Sequence, residues 1–407
     1  MLRICFLSYR GNPYSGGQGI YLKYVAEELV RQGVEVHAVV GPPFPDHMDG
    51  VVVHRIENNH YSTRKGRNII NEKNPLDILR PLNFFEYLST RGGSFSEIST
   101  FTIRAFFLLK KLHKRFHFDI IHDNQSLGYG LLMMKSLGIP VIATIHHPLT
   151  IDLANDLERD LSFKRKTMRV MFYPLMMQKF VSKRLDHIIT VSGDSKMRIH
   201  DDFGVRKEKI SVVYNGIDRS IFSASKMKKK KKIIFVRNIE DGKKGFAYLL
   251  KAMTNVGEGW CLTAVDGGSV HKRITGPLIE RLGISGKVTF TGKINTGELV
   301  SHYRESSIAV VPSVYEGFGF PAAEAMSCGV PVISSDGGAL PEVVGDTGII
   351  VPSRNADALS SAINRLINDE EMQNKMRKAG IERVRNFFSW ERSAGKMIDI
   401  YRHHLQR

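Results

Sequence analysis

Residues 311–334 read Val-Pro-Ser-Val-Tyr-Glu-Gly-Phe-Gly-Phe-Pro-Ala-Ala-Glu-Ala-Met-Ser-Cys-Gly-Val-Pro-Val-Ile-Ser, and the fold turns on this stretch. The apolar run Ile308 to Val311 leading into it has the length and β-branching of a buried strand. Gly317 and Gly319 keep the next loop thin. Phe320-Pro321 then opens a short helix, because proline at a first helical position lacks only an N–H that would be unpaired there anyway. That helix runs to about Cys328, before Gly329. Glu316 stands at the loop entrance and Glu324 in the first turn of the helix. Between them the N–H groups of Gly317, Phe318, Gly319 and Phe320, together with the helix dipole, form a seat for an anion. A phosphate on that backbone would have an acidic acceptor on either side, a pairing that suits sugar hydroxyls. An acidic helix cap at a strand end accounts for either glutamate alone. The pair, with Gly-x-Gly and the proline, favours a ligand site.

Outward from this stretch, short β-branched runs alternate with longer helical patterns along the whole chain, which argues for an α/β protein with parallel sheets. In the first half strands are expected at residues 3–8, 35–40, 51–54, 119–122, 141–145, 187–191 and 210–214. In the second half they recur at 233–236, 261–265, 288–290, 308–311, 332–334 and 349–351. A chain of 407 residues is too long for one ordinary core, and two domains of roughly 200 residues each are expected. Asn215-Gly is a strong turn signal, and the run Lys228 to Lys232 that follows is expected not to pack, so the boundary is placed there. The expected domains are residues 1–222, joined by a final helix over about 388–407, and residues 223–387. Phe388, Trp390, Met397, Ile398 and Tyr401 form the apolar stripe of that final helix.

Hydrophobic content of 42% with 24% charged residues is that of a globular protein, and no apolar run approaches a membrane span. Met1-Leu-Arg leads straight into the first strand without a basic-then-apolar leader, so a cytoplasmic location is expected. The three cysteines, Cys5, Cys261 and Cys328, cannot all pair; each sits in an apolar segment as a small buried thiol and is assigned no chemistry. The net charge of +17 asks for an explanation in partners. Its excess gathers at Arg64, Lys65, Arg67, Lys73, Arg80, Arg91, Arg104, Lys110, Lys111, Lys114 and Arg115, and again at Lys164, Arg165, Lys166, Arg169, Lys179, Lys183 and Arg184. Interleaved are Phe106, Phe107, Leu108, Leu109, Met168, Met171, Phe172, Met176 and Met177. Two readings stay open: helices lying on the inner, anionic face of a membrane, or solvated charges above core side chains. No recognition helix, zinc finger or RNA-binding aromatic signature is present, which speaks against nucleic acid.

Glu316 and Glu324, eight positions apart, resemble the Glu-x7-Glu signature of the retaining glycosyltransferases of family 4, which have the GT-B fold. Ser15-Gly-Gly-Gln-Gly after the first strand is similar to that family's glycine loop, and Thr144-Ile-His-His to the segment carrying its active-site histidine. Tyr214-Asn-Gly-Ile-Asp resembles the family's exit from the N-terminal domain, and Gly337-Gly-Ala-Leu-Pro-Glu its turn beyond the signature. The likeness covers nearly the whole chain and thins between residues 54 and 118.

The resemblance implies two Rossmann-like domains facing across a cleft, the last helix crossing back to the N-terminal domain, and a nucleotide sugar held by the C-terminal one. It implies retaining transfer of a hexose from a UDP- or GDP-linked donor to a glycan, lipid-linked or small-molecule acceptor on the N-terminal domain. By the same resemblance Glu324 would bind ribose hydroxyls, and Glu316 with the amides of Gly317, Phe318 and Gly319 would address sugar and diphosphate. Gly16 and Gly17 would close over the phosphates, His146 would contact the donor sugar, and Ile294 would meet the base through its backbone. The family usually places an arginine six residues before a Lys-Gly; Lys244-Gly245 is present, but that position is Asn238, with Arg237 one residue earlier. A one-residue shift turns a strand side chain to the other face, whereas a loop absorbs it, so Lys244 and Arg237 are both carried as diphosphate ligands.

The residues themselves support this division of labour. A departing nucleotide diphosphate develops negative charge, which preorganised N–H groups and cations stabilise. The sequence contains no Asp-x-Asp and no His or Cys cluster at ligand spacing, so no metal or other cofactor is expected. Adjacent His146 and His147 point apart on an extended chain and do not form a metal pair. Gly317-x-Gly319-x-x-Ala322 with Asp336 agrees formally with a dinucleotide fingerprint, but the loop before it is too long for that tight turn. A different GT-B chemistry, such as epimerisation, or a basic binding module with a vestigial site, are the remaining alternatives.

Overall fold

The structure is a computed structural model that describes residues 1–12, 17–57, 78–91, 95–157, 162–266 and 275–406. Gly16 and the basic residues Arg64, Lys65, Arg67 and Lys73 lie outside these. Every expected strand is present, because a strand of a parallel sheet covered on both faces must be a short apolar run and is therefore conspicuous in sequence.

The chain forms two compact units, one of Met1–Val191, Ser195–Val213 and Ser393–Arg407, the other of Ser192–Asp194 and Tyr214–Arg392. The first holds seven strands, β1 (Arg3–Ser8), β2 (Glu35–Val40), β3 (Val52–Arg55), β4 (Ile120–Asn124), β5 (Val141–Ile145), β6 (His187–Thr190) and β7 (Ile210–Val212). They pair in the order β3-β2-β1-β4-β5-β6-β7. Helix α1 (Gly17–Arg31) follows β1, and α2 (Pro81–Arg91) and α3 (Glu97–Phe116) precede β4. The core joins Leu7, Val39, Ile121 and Ile145 of the sheet to Ile98, Phe101, Ala105 and Leu109 of α3. Those α3 residues recur at helical spacing and face inward, so the apolar residues of the basic region divide between two fates. Phe106, Leu109 and Met177 are buried, whereas Phe107 and Met176 are exposed.

The second unit holds β8 (Lys230–Val236), β9 (Cys261–Val265), β10 (Val288–Phe290), β11 (Ser306–Val311), β12 (Val332–Ser335) and β13 (Ile349–Val351), in the order β10-β9-β8-β11-β12-β13. All described pairings in both sheets are parallel. Two sequence expectations change here. The lysine run is no unpacked linker: Lys230, Lys231 and Lys232 open β8, and Lys232 is buried with its Nζ 2.7 Å from His302 Nδ1 and 3.6 Å from Glu305 Oε2. A lysine stem can lie along apolar surface while its head finds partners, which composition alone does not reveal. The cysteines also differ among themselves, since Cys5 and Cys328 are buried but Cys261, at the start of β9, is exposed.

The last helix, Trp390–Leu405, belongs to the first unit from Ser393 onward, and Met397 and Tyr401 are fully buried. No helix among the described residues is long and apolar enough to cross a membrane.

Candidate active site

In an open parallel sheet, ligands bind beyond the carboxyl ends of the strands where the strand order reverses. In the second unit that point lies between neighbouring β8 and β11, and the chain leaves β8 at Arg237 and β11 at Pro312. The quoted stretch is therefore where the topology alone would place a site. After β11 the loop turns through Gly319, φ +102°, into the helix Phe320–Ser327, which has proline in its first turn. The helix begins where the sequence places it, but Glu324 is its fifth residue and lies in the second turn, not the first. The N–H groups of Phe318, Gly319 and Phe320 have no acceptor among the described residues.

The loop is clasped from outside. Val314 N–H donates to Lys243 O at 2.7 Å, Ala339 N–H donates to Glu316 O at 2.9 Å, and Ser335 Oγ–H donates to Ser313 O. The Gly337-Gly338 turn fits because it lacks side chains: a Cβ on Gly337 would stand 2.3 Å from Ser313 O, and one on Gly338, φ +61°, 2.4 Å from Glu316 O.

Glu316 is buried, and its Oε1 accepts from Lys244 Nζ and from Ser313 Oγ, both at 2.9 Å. Burial by itself would raise this carboxyl, but the charges of Lys244 and Arg237 and the two hydrogen bonds override it and hold the group at about 2. Glu324 is half-buried, and its Oε2 accepts from Tyr303 O–H at 3.0 Å. Here burial wins over the Arg237 charge and the tyrosine, and the carboxyl is raised. The two glutamates thus occupy opposite electrostatic environments.

Arg237 acts on both glutamates, and its buried Nε has no hydrogen-bond partner among the described residues. Asn238, where the arginine was expected, is exposed and uses its Oδ1 to accept from Glu240 N–H at 2.9 Å. The charge of Arg237 lowers both carboxyls, while Asn238 carries none. Lys244 ends a short 3-10 turn, and Gly245, φ +69°, comes so close to the Pro312 carbonyl that a Cβ would lie 1.9 Å from its oxygen. Ile294 is half-buried in the loop between β10 and the helix Thr296–Glu305, immediately before the Asn295 cap of that helix. Asp336, needed by a dinucleotide fingerprint, accepts from Ser353 N–H at 2.8 Å.

In the first unit the strand order reverses between β1 and β4, with β5 beside β4. His146 follows β5 directly and is buried. Its backbone N–H donates to Gln125 Oε1 at 2.7 Å, and its Nε2 lies 2.9 Å from Asn124 Oδ1. Since Asn124 Oδ1 can only accept, Nε2 carries the proton and Nδ1 is the ring's acceptor. Burial, with a smaller contribution from His147, pushes His146 down to about 3, so the ring is neutral. His147 turns elsewhere, its Nε2 3.1 Å from Asp152 Oδ2. Gly17 begins α1, and the next carbonyl, Gln18 O, accepts from Asn124 Nδ2 at 3.0 Å. Ser313, Tyr303, Asn124 and Gln125 are the supporting residues that sequence reasoning missed. Only Ser313, inside the quoted stretch, offered a local signal.

Comparison with known proteins adds a name to this geometry. The family model "Glycosyltransferase Family 4" matches residues 15–221, and "Glycosyl transferases group 1" matches residues 217–383. The chain is similar to an MMP alpha-(1->4)-mannosyltransferase of Mycolicibacterium hassiacum, 31% identical over 421 residues, covering 100% of this chain and 99% of that one. A D-inositol 3-phosphate glycosyltransferase of Kribbella flavida is 24% identical, with 75% of this chain and 76% of that one covered. Among solved structures, sucrose-phosphate synthase from Thermosynechococcus elongatus superposes with a TM-score of 0.75 at 23% identity over 100% of both chains. HepE of Anabaena, solved in complex with UDP and glucose, gives 0.72 at 18% identity over 98% of this chain and 99% of that one. These structural likenesses speak for the GT-B fold. With both halves matched and a relative aligned end to end, the chain belongs to glycosyltransferase family 4 and is a glycosyltransferase.

Proposed function

We propose that this enzyme is a metal-independent, retaining hexosyltransferase whose second unit binds a nucleotide-diphosphate hexose and whose first unit binds the acceptor. The observation that supports the donor assignment best is the charge arrangement beside β8 and β11. An ionised Glu316, a raised Glu324 and two cations, Lys244 and Arg237, gather at one strand-order reversal next to the N–H groups of Phe318, Gly319 and Phe320, which have no acceptor among the described residues. In this reading Lys244, Arg237 and the amides of Gly317, Phe318 and Gly319 take the diphosphate. Their charge is fixed before the glycosidic C–O bond breaks, so they stabilise the electron pair that departs with the phosphate at little reorganisation cost. Glu316, ionised, accepts from hydroxyls of the hexose. Glu324, with Tyr303 engaging only Oε2, offers Oε1 to the ribose hydroxyls. The backbone of Ile294 faces the base, Gly16 and Gly17 admit the phosphates, and neutral His146 is the first unit's contact to the transferred sugar. Family membership supports the retaining assignment.

A thermal-shift screen over UDP- and GDP-linked hexoses tests the donor, since a ligand that binds only the folded state raises its melting temperature. Mannosyl donors belong in the screen because the 31%-identical relative is named a mannosyltransferase. Glu316→Ala should abolish turnover of the best donor; unchanged turnover would overturn the assignment.

We further propose that the acceptor is lipid-linked or presented at an anionic membrane surface. Leu79, Phe84, Phe85 and Leu88 on and beside α2, Phe107 on α3, and Met176 and Phe180 on the helix Leu175–Ser182 are exposed. Exposed Arg80, Arg91, Lys110, Lys111, Lys179 and Arg184 accompany them. Apolar side chains among cations are what an anionic bilayer binds. Co-sedimentation with phosphatidylglycerol vesicles at low salt tests this, and absence of binding would overturn it.

A further inference from the structure

Beneath His146 lies a chain of buried hydrogen bonds that the proposed chemistry does not use. Tyr401, His122, Thr144 and Tyr21 are each at most 1% exposed. Packing alone would be served by phenylalanine and valine at these positions, and a buried polar group left without a partner is destabilising. The hydrogen bonds are consistent with one direction for each proton. Tyr21 O–H donates to Met397 Sδ at 3.7 Å, so its oxygen accepts from Thr144 Oγ–H at 2.8 Å. Thr144 in turn accepts from His122 Nε2–H at 2.8 Å, which leaves His122 Nδ1 to accept from Tyr401 O–H at 2.5 Å. Burial pushes His122 down to about 3, in keeping with a neutral ring. The chain starts and ends on the last helix, at Tyr401 and Met397, one turn apart.

A second rung lies above it. Strand side chains alternate, so His122 and Asn124 on β4, and Thr144 and the following His146 on β5, share one face. Asn124 holds His146 Nε2 and the Gln18 carbonyl, one turn before Tyr21 on α1. The Tyr21 ring stands edge-on to the His146 ring, 4.8 Å between centroids at 86°. We propose that Tyr401, His122 and Tyr21 are positioning residues for His146, by which the last helix sets the place of that ring and of the first turn of α1. This rests on the reading that His146 contacts the transferred sugar.

The test uses the full chain and the variants Tyr401→Phe, Tyr21→Phe, His146→Ala and Tyr401→Phe/His146→Ala. Two readouts are taken: release of nucleotide diphosphate from UDP-glucose and GDP-mannose, and the ring resonances of 15N-histidine-labelled protein. Misplacing a catalytic group by an ångström can lower a rate up to about a hundredfold, so each phenylalanine variant is expected to reduce kcat roughly tenfold or more with KM for donor unchanged. The His146 resonance should move while that of His37 stays, and the double variant should be no slower than His146→Ala alone, since residues acting through one another are not additive. A merely structural role would lower the melting temperature and leave kcat of the folded protein and the His146 resonance unchanged; with His146→Ala inactive, that result overturns the positioning role and leaves the reading of His146 intact. Wild-type turnover in His146→Ala overturns both. Should Tyr401→Phe fail to fold, Met397→Leu removes the acceptor of Tyr21 at nearly constant volume and is held to the same outcomes.

Discussion

Replacing Lys244 with methionine should unbalance Glu316 in a way that stability measurements can read without any donor. In the folded protein this carboxyl sits at about 2 against an ordinary 4.5, a difference worth roughly 3 kcal/mol in favour of its ionised form. Lys244 contributes both the largest attractive charge and one of the two hydrogen bonds, while Arg237 and Ser313 remain in the variant, so the expected loss at pH 7 is about 1–3 kcal/mol. The sign in pH follows from linkage. A depressed folded value contributes stability that is fully present above pH 4.5 and is lost as pH falls towards 2. In Lys244→Met, burial dominates and the carboxyl titrates higher, so the gap between wild type and variant should narrow as pH falls from 7 to 4. Both tryptophans, Trp260 and Trp390, are buried in the second unit, and urea unfolding followed by their fluorescence reports that unit. Adding Glu316→Gln should recover most of the loss by removing the unpaired charge. A loss below about 0.5 kcal/mol at pH 7, or a gap that does not change with pH, would refute the assignment of Lys244 as the principal partner of Glu316.

Glu324→Gln should leave the melting temperature within a few degrees, because burial already disfavours its charge, yet weaken UDP or GDP binding about tenfold by calorimetry. His122 and His146, both held near 3 against an ordinary 6.5, should make stability fall as pH drops below 6.5, by roughly 1.4 kcal/mol per pH unit each. The slope should become shallower in His122→Asn, measured by urea titration at pH 5 and 6. Gly338→Ala imposes both a left-handed backbone, φ +61°, and a 2.4 Å contact on the Glu316 carbonyl, and should cost about 2 kcal/mol or more while abolishing the donor thermal shift. Lys232→Met, by contrast, leaves the partly exposed Glu305 its nearer partner Lys230 at 2.9 Å, and should change stability by less than about 1 kcal/mol in the same unfolding assay.

The sheets were legible in the sequence because apolar runs such as Val141–Ile145 can be little else in a chain of this pattern, and the signature was legible because Glu316, Gly317, Gly319 and Glu324 are close neighbours along it. What tunes those groups was not legible. Tyr303 reaches Glu324 from another helix, Asn124 reaches His146 from the neighbouring strand, and Arg237 acts on both glutamates from the end of β8. Such partners are set by the pairing of strands distant in sequence, which no local period encodes. Lys232 shows the converse error: a lysine run reads as solvated until Glu305 and His302 are brought beside it by the β8–β11 pairing. The basic, apolar-rich helices were ambiguous for a simpler reason. Phe106 and Phe107 are adjacent in the chain, and only the helix's rotation about its axis decides which one meets water.

The unequal exposure of the three thiols has a practical consequence. With Cys5 and Cys328 inside and Cys261 outside, a maleimide dye will attach to the native chain at one place. That place is the amino end of β9, whereas the candidate site lies beyond the carboxyl ends of the same sheet, so the fluorophore would report on the second unit without touching what that unit binds. A second cysteine introduced on the first unit would complete a donor–acceptor pair for energy transfer. The protein thus comes with half of a molecular ruler already installed, ready to follow whether the two units move when a nucleotide sugar arrives.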